Sequence, residues 1–138
     1  MRILALDPGS KRVGVAISDE TKTIARPLET ISAEPFAALL ARLKQLFVEK
    51  EIDLVLVGLP RNMNGSYGPA AQKAEAFAAA LKGAITTPVK MWDERLTTVQ
   101  AHKIMAQGGV RRGRRKEKAD NMAAAILLQS YLDGGHGS

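Results

Sequence analysis

The chain has 138 residues, no cysteine and a formal net charge of +6 at pH 7. That length fits one domain with a single core, and the lack of cysteine excludes disulfides, thiolate metal sites and a cysteine nucleophile. No apolar run approaches the ~18 residues of a membrane span, so we expect a cytoplasmic protein without membrane contact, whose charge favours a polyanionic partner.

The amino-terminal quarter predicts three strands joined by short links, which makes them antiparallel neighbours. Ile3–Leu6 is a short apolar run that ends on Asp7, and the residues of Val13–Ser18 alternate between large and small side chains. The third strand is expected over Lys22–Ile31, at an edge or with a bulge, because Pro27 interrupts it.

A crossover helix and a central strand come next. Large apolar residues at helical spacing predict a helix over Phe36–Lys50, with Ser32 as its cap. The apolar run Ile52–Gly58 then predicts a central strand parallel to the first. A loop over residues 59–69 follows, at the edge where open α/β sheets bind ligands.

A second helix is predicted over Pro69–Lys82, with Gly83 as its stop. Its predicted inward face consists of Ala70, Ala74, Phe77, Ala78 and Leu81. Pro88–Trp92 gives the fifth strand, beside the fourth, and it too ends on acids.

The carboxyl-terminal third predicts two more helices with a basic loop between them. The first begins at Thr97 or Thr98 and ends at the glycine pair 108–109, and the second covers Lys116–Leu132. The apolar side of this last helix is predicted as Ala123, Ala124, Leu127, Leu128 and Tyr131. We expect one α/β domain over residues 1–133, a mixed five-stranded sheet with helices on its faces, and a flexible tail over residues 134–138.

Three acids stand where this topology brings the ends of its elements together. Asp7 ends the first strand, Glu94 follows the fifth, and Asp120 lies in the first turn of the last helix. Such hard oxygen ligands suit Mg²⁺ or Mn²⁺, and two ions about 4 Å apart activate a water against a phosphodiester. Taken singly, each acid also has a purely structural explanation. Asp7 could be a turn residue and Glu94 a surface partner of Arg95. Asp120 could be a carboxylate that stabilises a helix amino terminus. Asp93 is an alternative to Glu94.

Polar residues around these acids are candidate substrate contacts. Lys11 and Arg12 follow a glycine turn and are candidates to hold the scissile phosphate. The loop after the fourth strand offers Arg61, Asn62, Asn64 and Ser66, which are equally compatible with ordinary turn chemistry. The densest cluster of positive charge is suited to binding a nucleic-acid backbone. It consists of Arg111, Arg112, Arg114, Arg115, Lys116 and Lys118.

Four segments in order along the chain resemble the YqgF/RuvX family of pre-16S rRNA processing nucleases. That family is similar to Holliday junction resolvases of the ribonuclease H-like superfamily. The resemblance implies the sheet order 3-2-1-4-5 and assigns metal binding and catalysis to Asp7, Glu94 and Asp120, with Glu94 preferred over Asp93. The matching segments are Asp7–Asp19, Gly58–Ser66, Asp93–Thr98 and Lys118–Ala124.

Two departures from the family pattern bear on the metal. Asn64 stands where many relatives have aspartate, which weakens a direct metal role for its loop and leaves a role in contacting the backbone of the substrate. Related resolvases use four acids where this chain offers three clear ones, so the number of ions stays open.

The main hypothesis is a divalent-metal-dependent endonuclease that acts on structured RNA and processes the 5′ end of pre-16S rRNA. A DNA junction is the alternative substrate. A non-catalytic RNA-binding module and a nucleotide binder of the sugar-kinase type are rivals, although the latter needs two such domains. The sequence leaves open whether the protein is a monomer or a homodimer.

Overall fold

The computed structural model describes residues 1–9, 11–59, 68–93 and 115–134, and for residues 115–120 it describes the backbone alone. The helix predicted between residues 97 and 109 lies outside these ranges, as does the tail after Gly134. The elements are β1 (Arg2–Pro8), β2 (Arg12–Ser18), β3 (Ala25–Ser32), α1 (Phe36–Glu49), β4 (Ile52–Leu59), α2 (Pro69–Ala84), β5 (Val89–Asp93) and α3 (Arg115–Asp133).

The five strands form one mixed sheet in the order β3-β2-β1-β4-β5, which confirms the predicted topology. β1 pairs antiparallel with β2, and β2 with β3, whereas β1 with β4 and β4 with β5 are parallel. The carboxyl ends of β1, β4 and β5 therefore meet at one edge of the sheet, which we call the carboxyl edge.

Both faces of the sheet are covered, because successive side chains of a strand point to opposite faces. Leu4 and Leu6 of β1 pack with α1 and α2, and we call this side the α1–α2 face. Ile3 and Ala5 pack with α3 on the other side, the α3 face. The α3 residues in that core are Ala124, Ala125, Leu127, Leu128 and Tyr131. The predicted inward position of Ala123 is wrong, since this residue is exposed.

The third strand is an edge strand with a register shift, as its proline predicts. Val15 pairs with Glu29 but Ala16 pairs with Pro27, so β3 has one extra residue at this point. β3 begins at Ala25 rather than at Lys22, because Asp19 closes a turn over the intervening residues. Its Oδ1 accepts hydrogen bonds from the backbone amides of residues 23 and 24 at 2.8 and 3.1 Å.

The residues predicted to cap α1 and to stop α2 are wrong, although both helices begin where predicted. Ser32 ends β3 and its hydroxyl donates to the carbonyl of Glu34 at 2.8 Å, so Pro35 occupies the N-cap position of α1 without a side-chain cap. Gly83 lies inside α2, which ends at Ala84 with the amide of Ile85 donating to the Leu81 carbonyl at 3.0 Å.

The inward face of α2 is rotated slightly from its predicted position. Ala71, Ala74, Ala78 and Leu81 are buried, whereas Ala70 is exposed and Phe77 is partly buried. The buried residues of this helix follow one another at intervals of three or four residues, starting from Ala71. Within the ranges that the structure describes, no helix has the length and apolarity that a bilayer crossing requires.

Candidate functional site

Asp7 lies at the carboxyl edge, as the next-to-last residue of β1. It continues the alternation of Ile3 and Ala5, both of which pack with α3, so its position in the strand belongs to the α3 face. The residue is half-buried. The first strand thus presents a carboxylate on the face of the sheet that α3 covers.

Glycines flank Asp7 in both neighbouring strands. Gly14 of β2 is its direct partner in the antiparallel register, and Gly58 of β4 follows Val57, which is the partner of Leu6. Both glycines are buried. Neither strand therefore projects a side chain onto the α3 face beside Asp7, and we call this space the glycine gap. The sequence contained the signal for it, since both glycines occupy small-residue positions of alternating strands.

The alternation of β5 assigns a face of the sheet to Asp93. Val89 and Met91 pack against the core of the α1–α2 face, whereas Trp92 packs on the α3 face with its ring 5.1 Å from that of Tyr131. By alternation Asp93 belongs to the α1–α2 face, opposite Asp7. Glu94 lies outside the described residues.

The last helix carries Asp120 in its second turn, because α3 begins at Arg115. The expected first-turn position is wrong, and the side chain of Asp120 lies outside what the structure describes. The other end of α3 is fixed by Gln129, which is 1% exposed. Its Oε1 accepts from the Ala25 amide at 2.9 Å, and its Nε2 donates to the Thr23 carbonyl at 3.0 Å. These contacts lie at the start of β3, away from the carboxyl edge.

A tight turn places two predicted phosphate contacts directly after β1. The amide of Gly9 donates to the Arg12 carbonyl at 2.9 Å, and the Lys11 carbonyl accepts from the Ala33 amide at 2.9 Å. A Cβ atom on Gly9 would lie 2.7 Å from the Arg12 oxygen, so only glycine fits this turn without a shift. Lys11 is exposed and Arg12 half-buried, and both lie at the carboxyl edge.

The remaining predicted substrate contacts lie outside the described side chains. These are Arg61, Asn62, Asn64, Ser66, Arg111, Arg112, Arg114 and Arg115, the last of which is described by its backbone alone. Among the residues with described side chains, no group of three or more acids, histidines or cysteines is arranged to hold a metal ion. The joint arrangement of Asp7, Glu94 and Asp120 stays a prediction.

A structural carboxylate, Asp19, has a clearly lowered pKa. A hydrogen bond from the Thr21 hydroxyl at 2.7 Å, followed by those from the amides of Thr23 and Ile24, lowers the pKa of Asp19 to about 2. Asp19 closes the turn before β3, at the end of the sheet opposite the carboxyl edge. Its charge therefore stabilises the fold and does not belong to the candidate site.

Two bacterial relatives match nearly the whole chain. A protein of Pelotomaculum thermopropionicum is 46% identical over 134 residues, which cover 96% of this chain and 87% of the relative. One of Desulforamulus reducens is 46% identical over 135 residues, with 98% of each chain covered. Both carry the name "putative pre-16S rRNA nuclease".

Solved structures support the ribonuclease H-like fold. Thermus thermophilus RuvC in complex with a Holliday junction substrate superimposes with a TM-score of 0.59 at 19% identity, over 98% of this chain and 96% of that one. The fowlpox virus resolvase bound to junction DNA gives a TM-score of 0.52 at 14% identity, over 97% and 98%. The sequence profile named RuvX, with the description Holliday junction resolvase, matches residues 1–134. With this match and the near-complete bacterial relatives, the chain belongs to the RuvX family.

Proposed function

We propose that this chain is a divalent-metal-dependent endonuclease that hydrolyses phosphodiester bonds of structured RNA, with the 5′ end of pre-16S rRNA in the cytoplasm as its substrate. The observation that carries the proposal is the position of Asp7, which stands at the carboxyl edge between Gly14 and Gly58. Open α/β sheets bind their ligands at such an edge. The names of the bacterial relatives support the choice of substrate.

The alternation of β5 supports Glu94 as a second acid. Trp92 belongs to the α3 face and Asp93 to the opposite one, so Asp93 does not share the face of Asp7. The same argument weighs against Asp93 as a shared ligand. Glu94 is therefore the better candidate on grounds that are independent of family resemblance.

The packing of α3 supports Asp120 as the third acid. The helix packs mainly on β2 and β3, and Gln129 fixes its last turns at the start of β3. Asp120 precedes Gln129 by nine residues, about 13 Å along a helix axis. Because the helix covers these two strands, its earlier turns extend toward the edge where Gly14 and Asp7 pair.

The residues present fit a hard divalent cation such as Mg²⁺ or Mn²⁺. Asp7 offers carboxylate oxygens, the ligands such ions prefer, beside a gap that neighbouring strands leave open. Asp7, Glu94 and Asp120 would hold the ion, with either one or two ions compatible with three acids. When bound, the ion lowers the pKa of the attacking water and stabilises the leaving oxygen.

The positive groups at the same edge position the substrate. Lys11 and Arg12 are held beside Asp7 by the Gly9 turn, where they pair with phosphate oxygens that flank the reacting bond. The basic segment over residues 111–118 contains six cations and one acid, and it precedes and enters α3. In this proposal it follows the nucleic-acid backbone, together with the loop that contains Arg61, Asn62, Asn64 and Ser66.

A DNA junction is the second candidate substrate, and the family description favours it. A junction has two equivalent strands to cut, so efficient resolution of it requires a symmetric dimer. A monomer suffices for one cut in a precursor RNA. The oligomeric state of the active enzyme is therefore a second criterion, besides the cleavage assay, for deciding between the two substrates.

The test compares both substrates with a matched pair of variants. Precursor RNA that spans the 5′ end of 16S rRNA and a four-way DNA junction are each incubated with Mn²⁺ and with wild type, Asp7→Asn or Asp53→Asn. Asp53 is a β4 carboxylate that pairs with Lys22 at 2.7 Å, far from the carboxyl edge. We expect Asp7→Asn to lose about 100-fold or more of the RNA cleavage rate and Asp53→Asn to retain it. Undiminished cleavage by folded Asp7→Asn protein would overturn the assignment.

A further inference from the structure

A cavity of about 340 Å³ opens at the carboxyl edge on the α1–α2 face. It is lined by the end of β1, the start of β2, the turn before α1 and the first three turns of α2. The lining residues that matter for its chemistry are Gly9, Val13, Ala33, Ala70, Lys73 and Phe77. Nothing in the site described above uses this cavity, since Asp7 belongs to the other face of the same strand end.

The walls of the cavity combine an apolar surface with one localised positive end. Val13, Ala33 and Phe77 belong to or pack against the core of the α1–α2 face, and they give the cavity an apolar floor. Lys73 contributes a positive charge to the lining. The amino terminus of α2 adds the positive end of a 16-residue helix, with no acid in its first turn and no side-chain cap.

The chemistry of this lining matches a nucleotide better than a bare anion or an apolar molecule. A base or sugar covers the apolar wall and the ring of Phe77, while a phosphate needs the cation and the helix terminus. The volume is at the small end of ligand cavities, which suits one nucleotide and excludes a helix or strand of a protein partner.

The cavity adjoins the candidate site through the chain itself. Pro8 and Gly9 line it and directly follow Asp7, so cavity and carboxylate lie on opposite faces of one strand end. A nucleic-acid strand that crosses the end of β1 therefore reaches both. We propose that this cavity binds the nucleotide that adjoins the cleaved phosphodiester, with its base against the apolar wall and its phosphate at Lys73. The inference rests on the proposed nuclease function for the identity of the strand, but the cavity can be tested without cleavage.

The test is an NMR titration of amide shifts with adenosine 5′-monophosphate and uridine 5′-monophosphate, in the absence of divalent metal. Ribose 5-phosphate and inorganic phosphate are the partial ligands. We expect both nucleotides to shift the amides of Gly9, Ala33 and Lys73, and to bind about tenfold or more tightly than inorganic phosphate, because the base adds a stacked or buried surface.

Two matched pairs of substitutions assign the binding to the cavity. Ala70→Leu fills it from an exposed position, and Ala80→Leu makes the same change at an exposed position farther along α2. Lys73→Ala removes its charge, and Lys82→Ala removes one from the other end of the helix. We expect the first variant of each pair to weaken nucleotide binding about tenfold, and the second to leave it unchanged.

Each outcome decides the proposal. Equal binding of inorganic phosphate and nucleotides, or unchanged nucleotide binding in both folded Ala70→Leu and Lys73→Ala proteins, would overturn it. The Asp7→Asn variant distinguishes nucleotide binding in the cavity from cleavage. We expect this variant to bind nucleotides while it loses cleavage. Full cleavage by Asp7→Asn with intact nucleotide binding would reject the proposed catalytic site and leave the cavity assignment standing.

Discussion

Gly14 lies directly opposite Asp7 in the antiparallel pairing of β1 with β2. A residue at this position shares the face of Asp7, so any side chain there would project into the space beside the carboxylate. Gly58 occupies the corresponding place on the other side, in β4. The candidate site is therefore flanked in both neighbouring strands by residues that contribute no side chain.

Substitution of Gly14 by valine should weaken metal binding strongly while the sheet still forms. Valine favours a strand, so the backbone is compatible with the change, but its methyl groups fill the glycine gap. We expect Mn²⁺ affinity and cleavage rate to fall about 100-fold, the scale of a displaced reacting group. Isothermal titration with Mn²⁺ and a cleavage assay measure the two effects.

Gly14→Ala provides the graded control, with a smaller loss than valine. Gly58→Ala offers an independent approach from the other flank, should Gly14→Val fail to fold. Normal Mn²⁺ binding by folded Gly14→Val protein would show that the gap is not where the ion binds.

A pair of glycine-to-alanine substitutions should change stability in opposite directions. At Gly9 a Cβ atom would meet the Arg12 carbonyl oxygen at 2.7 Å, so the turn must shift, and we expect the free energy of unfolding to fall by about 1–3 kcal/mol. At Gly83, inside α2, the same atom meets nothing within 4 Å, and alanine should add about 0.5–1 kcal/mol. Urea unfolding of both variants measures the difference, and equal changes would contradict it.

The order of the strands could be predicted from the sequence because it depends on repeated signals. Apolar runs, short links between the first strands and a crossover helix each constrain the topology, and Pro27 marked β3 as an edge strand. The start of β3 could not be predicted, because it depends on Asp19 closing a turn with amides four and five residues away. The sequence pattern alone does not show which of several possible hydrogen-bond partners such a side chain binds.

The candidate site was predictable in part for the same reason. Asp7 ends a clear apolar run, so its place at a strand end followed from the sequence.

Other positions could not be predicted from local signals. Glycine is common after helices, yet the hydrogen bond between Ile85 and Leu81 continues α2 past Gly83. The role of Gly14 required the register between β1 and β2, which no local pattern contains.

Replacement of Gln129 by leucine should destabilise the protein strongly although the volume hardly changes. The buried amide accepts from Ala25 and donates to Thr23, and leucine would leave both backbone groups without these partners. We expect a loss of about 2–4 kcal/mol in the free energy of unfolding, measured in urea. Gln72→Leu, at an exposed position of α2, should change it by less than about 0.5 kcal/mol. Similar losses in both variants would rule out the buried bonds as the cause.

The pH dependence of stability should contain a contribution from Asp19. The hydrogen bond from Thr21, with two backbone amides, lowers its folded pKa from 3.8 to about 2. In the unfolded chain the carboxylate takes up its proton near 3.8, so between that value and 2 the unfolded state binds more protons. The stabilisation is therefore complete above about pH 5 and is lost as the pH falls through about 2.

Asp19→Asn should remove this dependence, because asparagine does not titrate in that range. We expect wild type to exceed the variant in unfolding free energy at pH 6 by roughly 1 kcal/mol or less, since exposed charges are screened by water and salt. The difference should shrink toward zero between pH 4 and pH 2, as measured by urea unfolding at fixed ionic strength. A difference that stays constant or grows on acidification would mean that the charge of Asp19 does not hold the turn before β3.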